Sequence, residues 1–387
     1  MIARIIILIL LAIVLPDLYF DQHYWKRSSH YRWWHRLLWW LPGLIMVGYT
    51  VGLSTIRNFV PDDLTVINVY LLIVGLFVIP KALVALCSVI GLLWCRLRHS
   101  RNNWGNLVAL FLTLFTWYAV IYGSTLGVRR LRVKHIDLYF DRLPASFDGY
   151  RIVHFSDAHV GSFTGARVQL LKRDIDSINA QHADLIAFTG DLQNIQPSEL
   201  YPVQSLLSGL HARDGVVSVL GNHDYAEYIH EAPAIEAANE RETINRERQF
   251  GWQLLRNEHF ALHRGNDSIV IAGEENYEKP ARADFAKTLK GIEGRPFTIM
   301  LQHVPAAWRE QILPSKRVDL TLSGHTHGGQ MSFFGLRPTH LTEPHDYGLF
   351  QREGALLYVN PGLGGLVFFR FGMPAEITVF TLHRTRQ

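Results

Sequence analysis

The chain has 387 residues, 48% hydrophobic and only 19% charged, with a formal net charge of +4 and a pI near 9.0. The basicity belongs to one third of it: residues 1–134 hold 14 Lys/Arg against 4 Asp/Glu, net +10, and residues 135–387 hold 24 against 30, net −6. The acidic remainder speaks against nucleic-acid binding, which needs clustered Lys/Arg, and two cysteines alone, Cys87 and Cys95, exclude a disulfide framework or a Cys-based zinc site.

Four apolar stretches follow one another in the basic third: about 2–20, interrupted by Pro16 and Asp17; about 37–56; about 64–95, interrupted by Pro80 and Lys81; and about 107–125. A membrane helix needs roughly 20 mostly apolar residues, which the second and fourth supply. The third is too long for one upright span and predicts tilt, a kink at Pro80, or extension past the bilayer. Eight of the ten Trp fall in residues 1–134, several flanking these stretches, where an aromatic belt sits. The first stretch has only Arg4 as a basic leader and no small-residue cleavage site, so it reads as a retained helix rather than a signal peptide. Residues 1–128 are thus expected to form an integral membrane module of about four helices, with membrane lipids as partners. Residues 129–148 read as a connector whose basic run, Arg129 to Lys134, suits lipid head groups.

From Ile152 the texture changes to short apolar, β-branched runs that end in polar or Gly clusters: 151–156, 185–189, 216–220, 269–272, 298–301, 320–322, 356–359 and 377–382. Their length and composition predict buried strands. Helical stretches lie between some of them, at 166–180 and 235–250, so residues 149–387 are expected to be an α/β domain.

Residues able to bind metal stand immediately after five of these strands: Asp157-Ala-His159, Gly190-Asp191-Leu-Gln-Asn194, Gly221-Asn222-His223-Asp224, Gln302-His303 and Gly324-His325-Thr-His327. Ligands gather at the carboxyl ends of strands in open α/β sheets. Imidazole mixed with carboxylate favours Zn, Fe or Mn over Ca or Mg. Two ions a few ångströms apart clamp the attacking and leaving oxygens of a phosphoryl displacement, and Asp191 is the natural carboxylate to lie between them. Each element alone is weak, since Asp-x-His is usually a surface turn; the ordered set is not.

That set resembles the motif series of the calcineurin-like metallophosphoesterases over about residues 150–382. The ending Tyr358-Val-Asn-Pro-Gly-Leu-Gly364, with Arg370-Phe and Pro374-Ala-Glu376, is similar to a bacterial membrane-associated branch of that family. The resemblance implies two packed sheets flanked by helices and two divalent ions. Asp157, His159 and His327 would hold one, Asn222, His303 and His325 the other, and Asp191 would bridge. His223 would lie beside the ions, oriented by Asp224, and protonate the leaving group or stabilise charge. Asn194, where many members carry Asp, would stand behind the ligands. The implied activity is hydrolysis of a phosphoester or pyrophosphate by a metal-bound hydroxide, on a phosphorylated small molecule or a lipid-linked substrate. His340 and His345 are lesser candidates to line the pocket, and Arg337 and Arg370 to contact substrate phosphate; His154, His182, His211, His230, His259 and His263 read as structural or solvated. A vestigial sensor would be expected to have lost ligands, and none is visibly broken. A transporter would need charges inside the spans, and only Asp17 and Lys81 are there.

Sidedness follows from counting cations in loops. Lys26, Arg27, Arg32 and Arg36, with Arg96, Arg98 and Arg101, would be cytoplasmic if the catalytic domain is outside; Arg4, Arg57, Arg129, Arg130, Arg132 and Lys134 oppose them. Seven against six leans to an extracytoplasmic domain on a bacterial inner membrane.

Overall fold

The computed structural model describes residues 2–26 and 32–385 and divides into two compact units, Met1–Thr125 and Leu126–Gln387. Arg27, used in the topology count above, lies outside the described residues.

In the first unit, α1 (Ile6–Phe20) runs on through a π turn to Trp25; α2 spans Trp33–Ser54; α3 (Leu64–Ile73) and α4 (Ile79–Arg98) join through a π turn, Val74–Val78; and α5 spans Gly105–Thr125. Among the described residues this makes four helical segments long and apolar enough to cross a membrane, the third 35 residues long. The irregularity in that long segment sits just before Pro80, which has no N–H to offer the carbonyl four residues back, Leu76. The indole N–H of Trp117 on α5 donates to that carbonyl at 2.7 Å. An unpaired carbonyl in hydrocarbon costs several kcal/mol. The two charges foreseen inside the spans find each other: Lys81 Nζ lies 2.5 Å from Asp17 Oδ1, both side chains largely hidden within the unit. Beside them Arg36 grips Asp21 through two nitrogens at 2.8 and 2.5 Å, and Thr50 and Tyr70 share a hydroxyl hydrogen bond at 2.8 Å.

The second unit is a sandwich of two six-stranded sheets. One sheet has the order β1 (Leu131–Phe140), β12 (Ala375–Arg384), β2 (Tyr150–Phe155), β3 (Leu185–Phe188), β4 (Val216–Ser218), β5 (Gln253–Leu254). The other has the order β10 (Gly348–Arg352), β11 (Ala355–Val359), β9 (Leu320–Ser323), β8 (Thr298–Leu301), β7 (Asp267–Gly273), β6 (Glu258–Arg264). Alternation sorts the side chains. Ile152, Phe380, Ile271, Leu301 and Leu322 fill the space between the sheets. Val153, Phe155, Ile186 and Phe188 face outward, under Leu171, Ile175 and Ile178 of α6 (Val168–Asn179). Hiding each of those three α6 side chains is worth about 1.5–3 kcal/mol. Trp308, Ile312 and Leu313 cover the outer face of the second sheet in the same way. Two further helices, α7 (Gln204–Leu207) and α8 (Pro233–Gln249), complete the first layer's flank.

All eight strands expected from the sequence are present. Four more appear, β1, β5, β6 and β10, and each lies at an edge of its sheet. β1 falls in the segment read as a connector. It pairs in parallel with β12 from Leu131–Ala375 to Phe140–Arg384. Part of the basic run is therefore engaged within this unit, with Lys134 Nζ 3.3 Å from the Tyr358 hydroxyl and Arg132 4.0 Å from Glu376.

Candidate metal centre

Strands β2, β3 and β4 run parallel to one another, as do β8 and β9. Their carboxyl ends therefore open together, and the five loops that follow bring Asp157, His159, Asp191, Asn222, His223, His303, His325 and His327 into one cluster. Turning each chain sharply inward takes unusual backbone. Asp157, His159, Asp191, His325 and His327 all adopt left-handed conformations, with φ between 44° and 73°. Strain of this kind in non-glycine residues gathers at functional sites. The glycines serve in two ways: of the three preceding Asp191, Asn222 and His325, only Gly190 has positive φ. Gly221 and Gly324 are needed for room, since a Cβ there would collide with the Asp191 carboxylate and the Ser156 hydroxyl.

The donor atoms form two groups that share one carboxylate. Asp157 Oδ1 lies 3.3 Å from His327 Nε2, and the rings of His159 and His327 stack at 5.2 Å. On the other side, Asn222 Oδ1 lies 2.9 Å from His325 Nδ1 and 3.2 Å from His303 Nε2. Between them stands Asp191, whose Oδ2 is 3.6 Å from His159 Nε2 and 3.3 Å from His303 Nε2. Three sets of His and Asp atoms here, each within 4.8 Å, have the spacing of a metal site: Asp157, His159, His327; His159, Asp191, His223; and Asp191, His303, His325.

Partners behind the ligands choose which ring nitrogen faces inward, as in metal sites generally. His303 Nδ1 donates to the Thr189 carbonyl at 2.6 Å, and His159 Nδ1 meets Asn194 Oδ1 at 3.1 Å, so both turn Nε2 to the centre. Burial pushes the His159 and His325 imidazoles down to about 3 and His327 well below its usual range. They are neutral, with lone pairs available. Burial pushes Asp157 up to about 7, helped by the nearby Asp191. Burial would raise Asp191 too, but His303, His223 and His159 hold it well below the carboxylate range. Burial in turn disfavours a charged His303, yet Asp191 lifts it to about 9. The pocket draws positive charge to Asp191, in the metal-free state as a proton on His303, and its donor set of imidazoles, carboxylates and an amide oxygen fits divalent cations.

Several assignments change. Asp224 was expected to orient His223. Instead its carboxylate accepts from the main-chain N–H groups of Asp191, Leu192, Gln193 and Gly221 at 2.8–3.2 Å, which fixes the turn carrying Asp191. The His223 Nδ1 donates to the Asn194 carbonyl. Asn194 therefore orients two imidazoles, one through its side chain and one through its backbone.

Arg370 is no phosphate contact. It is buried and donates to the carbonyls of Pro361, Gly362, Gly364, Met373 and Pro374. The loop it gathers packs on Asp157, with Gly364 N donating to the Asp157 carbonyl at 2.8 Å. Arg337 and His340 turn to Asp346, and His345 packs between Trp308 and Phe350. Two residues escaped the sequence reading. Tyr228 lays its ring 4.4 Å from that of His223, and its hydroxyl accepts from Asn222 Nδ2 at 2.9 Å. Glu278 lies 3.8 Å from His325 Nε2. Neither residue type, in an irregular loop, carries a signal of its own.

A helical membrane module followed by a two-sheet α/β unit, with a histidine–carboxylate centre at the strand ends, defines a membrane-associated metallophosphoesterase. Two family models match: the transmembrane domain of probable calcineurin-like phosphoesterases over residues 3–128, and the calcineurin-like phosphoesterase over residues 150–329. The chain is 34% identical over 300 residues to YkuE of Bacillus subtilis, an uncharacterized metallophosphoesterase, covering 75% of this chain and 98% of that one. It is 29% identical to the UDP-2,3-diacylglucosamine pyrophosphatase LpxG of Chlamydia trachomatis, covering 68% and 92%. A transmembrane protein with a metallophosphoesterase domain from Danio rerio is 28% identical over 68% of this chain and 59% of its own length. The chain belongs to the calcineurin-like metallophosphoesterases and is a metal-dependent phosphoester hydrolase of a membrane-associated kind.

Proposed function

We propose that residues 149–387 hydrolyse a phosphoester or pyrophosphate at a pair of divalent ions (Mn, Fe or Zn), with residues 1–128 as the membrane anchor. Asp157, His159 and His327 would hold one ion, Asn222, His303 and His325 the other. The observation that carries this reading is the placement of Asp191 Oδ2 within 3.6 Å of His159 and 3.3 Å of His303. When bound, such ions neutralise charge on the phosphoryl oxygens and activate a water. The chain's own part is to hold and aim. Asp224 and Arg370 fix the turns of Asp191 and Asp157, and Tyr228 holds the Asn222 amide so that Oδ1 faces inward. His223, anchored through Nδ1, would protonate the leaving oxygen.

The membrane module and the lipid precursor named for the LpxG relative favour a phosphorylated substrate with apolar tails. The loop cations favour an extracytoplasmic domain on a bacterial inner membrane. A reporter fused after Gln387 and active only outside the cytoplasm tests sidedness, and a lit cytoplasmic reporter there reverses it. For the activity, purified full-length protein is assayed on mono-, di- and pyrophosphate esters with Mn, Zn and Fe, and its metal content is measured. Two ions per chain and metal-dependent hydrolysis are expected; one ion, or turnover indifferent to chelators, overturns the reading.

A further inference from the structure

The loop that follows the His325-Thr-His327 turn ends in an apolar tip. Phe333 and Leu336 exchange two main-chain hydrogen bonds at 2.9 Å, making a two-residue hairpin. Its central residues, Phe334 (φ 51°) and Gly335 (φ 87°), are both left-handed, a turn in which Asn-Gly is the usual choice. A bulky side chain avoids that conformation, yet here is a phenylalanine, 101% exposed. Leu336 and Leu341 beside it are 77% and 89% exposed, the most exposed large apolar side chains of the second unit together with Phe334. From Met331 to Thr342 there is no carboxylate, and the ionisable groups are Arg337 and His340.

The tip stands on a firm base. Arg337 Nε and Nη2 grip the buried Asp346 at 2.8 and 2.9 Å, and Thr339 Oγ1 donates to the same carboxylate at 2.8 Å. Burial would raise Asp346, but Arg337 and Thr339 hold it below its usual range, so it stays charged. The base is fastened to the metal centre: Thr326 Oγ1 donates to the Asp346 carbonyl at 2.6 Å, and Gly328 and Gly329, just after His327, leave no room for a Cβ against Met373 and Thr339. A strained, solvent-facing apolar tip on a rigid base is a wedge.

We propose that this loop, Met331–Glu343, is a membrane-insertion wedge that seats the mouth of the metal centre on the bilayer surface. A lipid surface fits better than a protein partner for two reasons on the molecule itself. Phe334, Leu336 and Leu341 reach solvent with no carboxylate between Met331 and Thr342, and Arg337 is already paired with Asp346, so the tip is an apolar surface with no acidic group to keep it out of the head-group boundary. The chain also leaves its last span at Thr125 and enters β1 at Leu131, so a bilayer is tethered within about 3.3–3.6 Å per intervening residue. Three side chains bind lipid weakly from solution, but a tether makes the encounter intramolecular and the occupancy high. That the wedge brings lipid-tailed substrates to the site rests on the hydrolase reading above; the lipid contact does not.

The test uses the full chain in nanodiscs of phosphatidylethanolamine and phosphatidylglycerol, with Cys87→Ser and Cys95→Ser. Nitroxides are placed by Leu336→Cys or Leu341→Cys, with Lys172→Cys and Glu353→Cys as exposed controls, and collisions with lipid-soluble oxygen and a water-soluble nickel chelate are compared. Oxygen should dominate at 336 and 341 and nickel at the controls, and Phe334→Asp should move the Leu341→Cys label toward the water-like ratio. Nickel access at the loop equal to the controls overturns the proposal. So does an immobile label shielded from both reagents, which marks a protein partner or a second copy. Hydrolysis of a water-soluble phosphodiester by Phe334→Asp is expected to be unchanged. Failure of every chain to hydrolyse any mono-, di- or pyrophosphate ester refutes the hydrolase reading and leaves the collision result standing.

Discussion

The two units solve opposite solvation problems with much the same apolar residues. In the first, Ile7, Trp33, Leu97 and Phe111 point outward, while the hidden positions hold Asp17, Asp21, Thr50 and Ser88. In the second, Phe155, Phe188, Ile271 and Leu322 are hidden and charges line the surface and the site. The difference teaches how each unit handles polar atoms. The lipid-facing unit pairs them with one another as local patches: Lys81 with Asp17, Trp117 with the Leu76 carbonyl, Tyr70 with Thr50. The sandwich instead gathers imidazoles and two carboxylates at one point, aimed at a shared space. The first arrangement pairs its charges internally; the second calls for cations.

Breaking the shared carboxylate should have the largest effect. Asp191→Ala is expected to lower occupancy of both ions and reduce hydrolysis to background, because among the described residues no other carboxylate lies within 4 Å of imidazole nitrogens from both ligand groups. Metal analysis that finds two fully retained ions refutes the bridge. Next, His223→Ala should keep both ions yet lose about 10²–10⁴-fold in kcat, the range for a positioned acid. Full activity on an ester with a poor leaving group removes that role.

A break on the membrane side comes third. Lys81→Ala leaves the Asp17 carboxylate hidden and uncompensated, at a cost of about 3–5 kcal/mol. Unfolding followed in detergent should show the loss, with the double change Asp17→Asn, Lys81→Met recovering most of it. An unshifted midpoint for the single variant means the pair does not stabilise the unit. The smallest expected effect is that of Tyr228→Phe, which frees the Asn222 amide to turn. Changes behind a metal ligand cost about 10–100-fold in metal affinity or activity. Metal titration should therefore show weakened binding of one ion only, and equal loss of both, or of neither, refutes the assignment.

Legibility in the sequence followed burial. The strands read correctly, such as Leu185–Phe188 and Leu320–Ser323, are hidden on both faces and so are unbroken apolar runs. The four strands that were missed lie at sheet edges, where one side of each strand has no neighbour and polar residues intrude; Leu131–Phe140 alternates Leu, Val and Ile with Arg, Lys and Asp. Every proposed ligand was readable because a metal centre demands particular residue types, placed just past strand ends. The residues that aim the ligands were not readable, because the carbonyl of Asn194 or the amide N–H of Leu192 belongs to no residue type.

What the sequence by itself determined, then, is the division into an apolar basic third and an acidic α/β remainder, the central strands and the side chains proposed as metal ligands. These depend on hydrophobic period and on side-chain chemistry, both local to the chain. Only the tertiary structure decided that Arg370 braces a loop rather than meeting substrate, that Asp224 holds a turn rather than an imidazole, and that Phe334 stands in the open. Each of those depends on which atoms lie across the fold. Arg370 finds five carbonyls within reach and is buried by them, whereas Phe334 finds no neighbour and stays exposed.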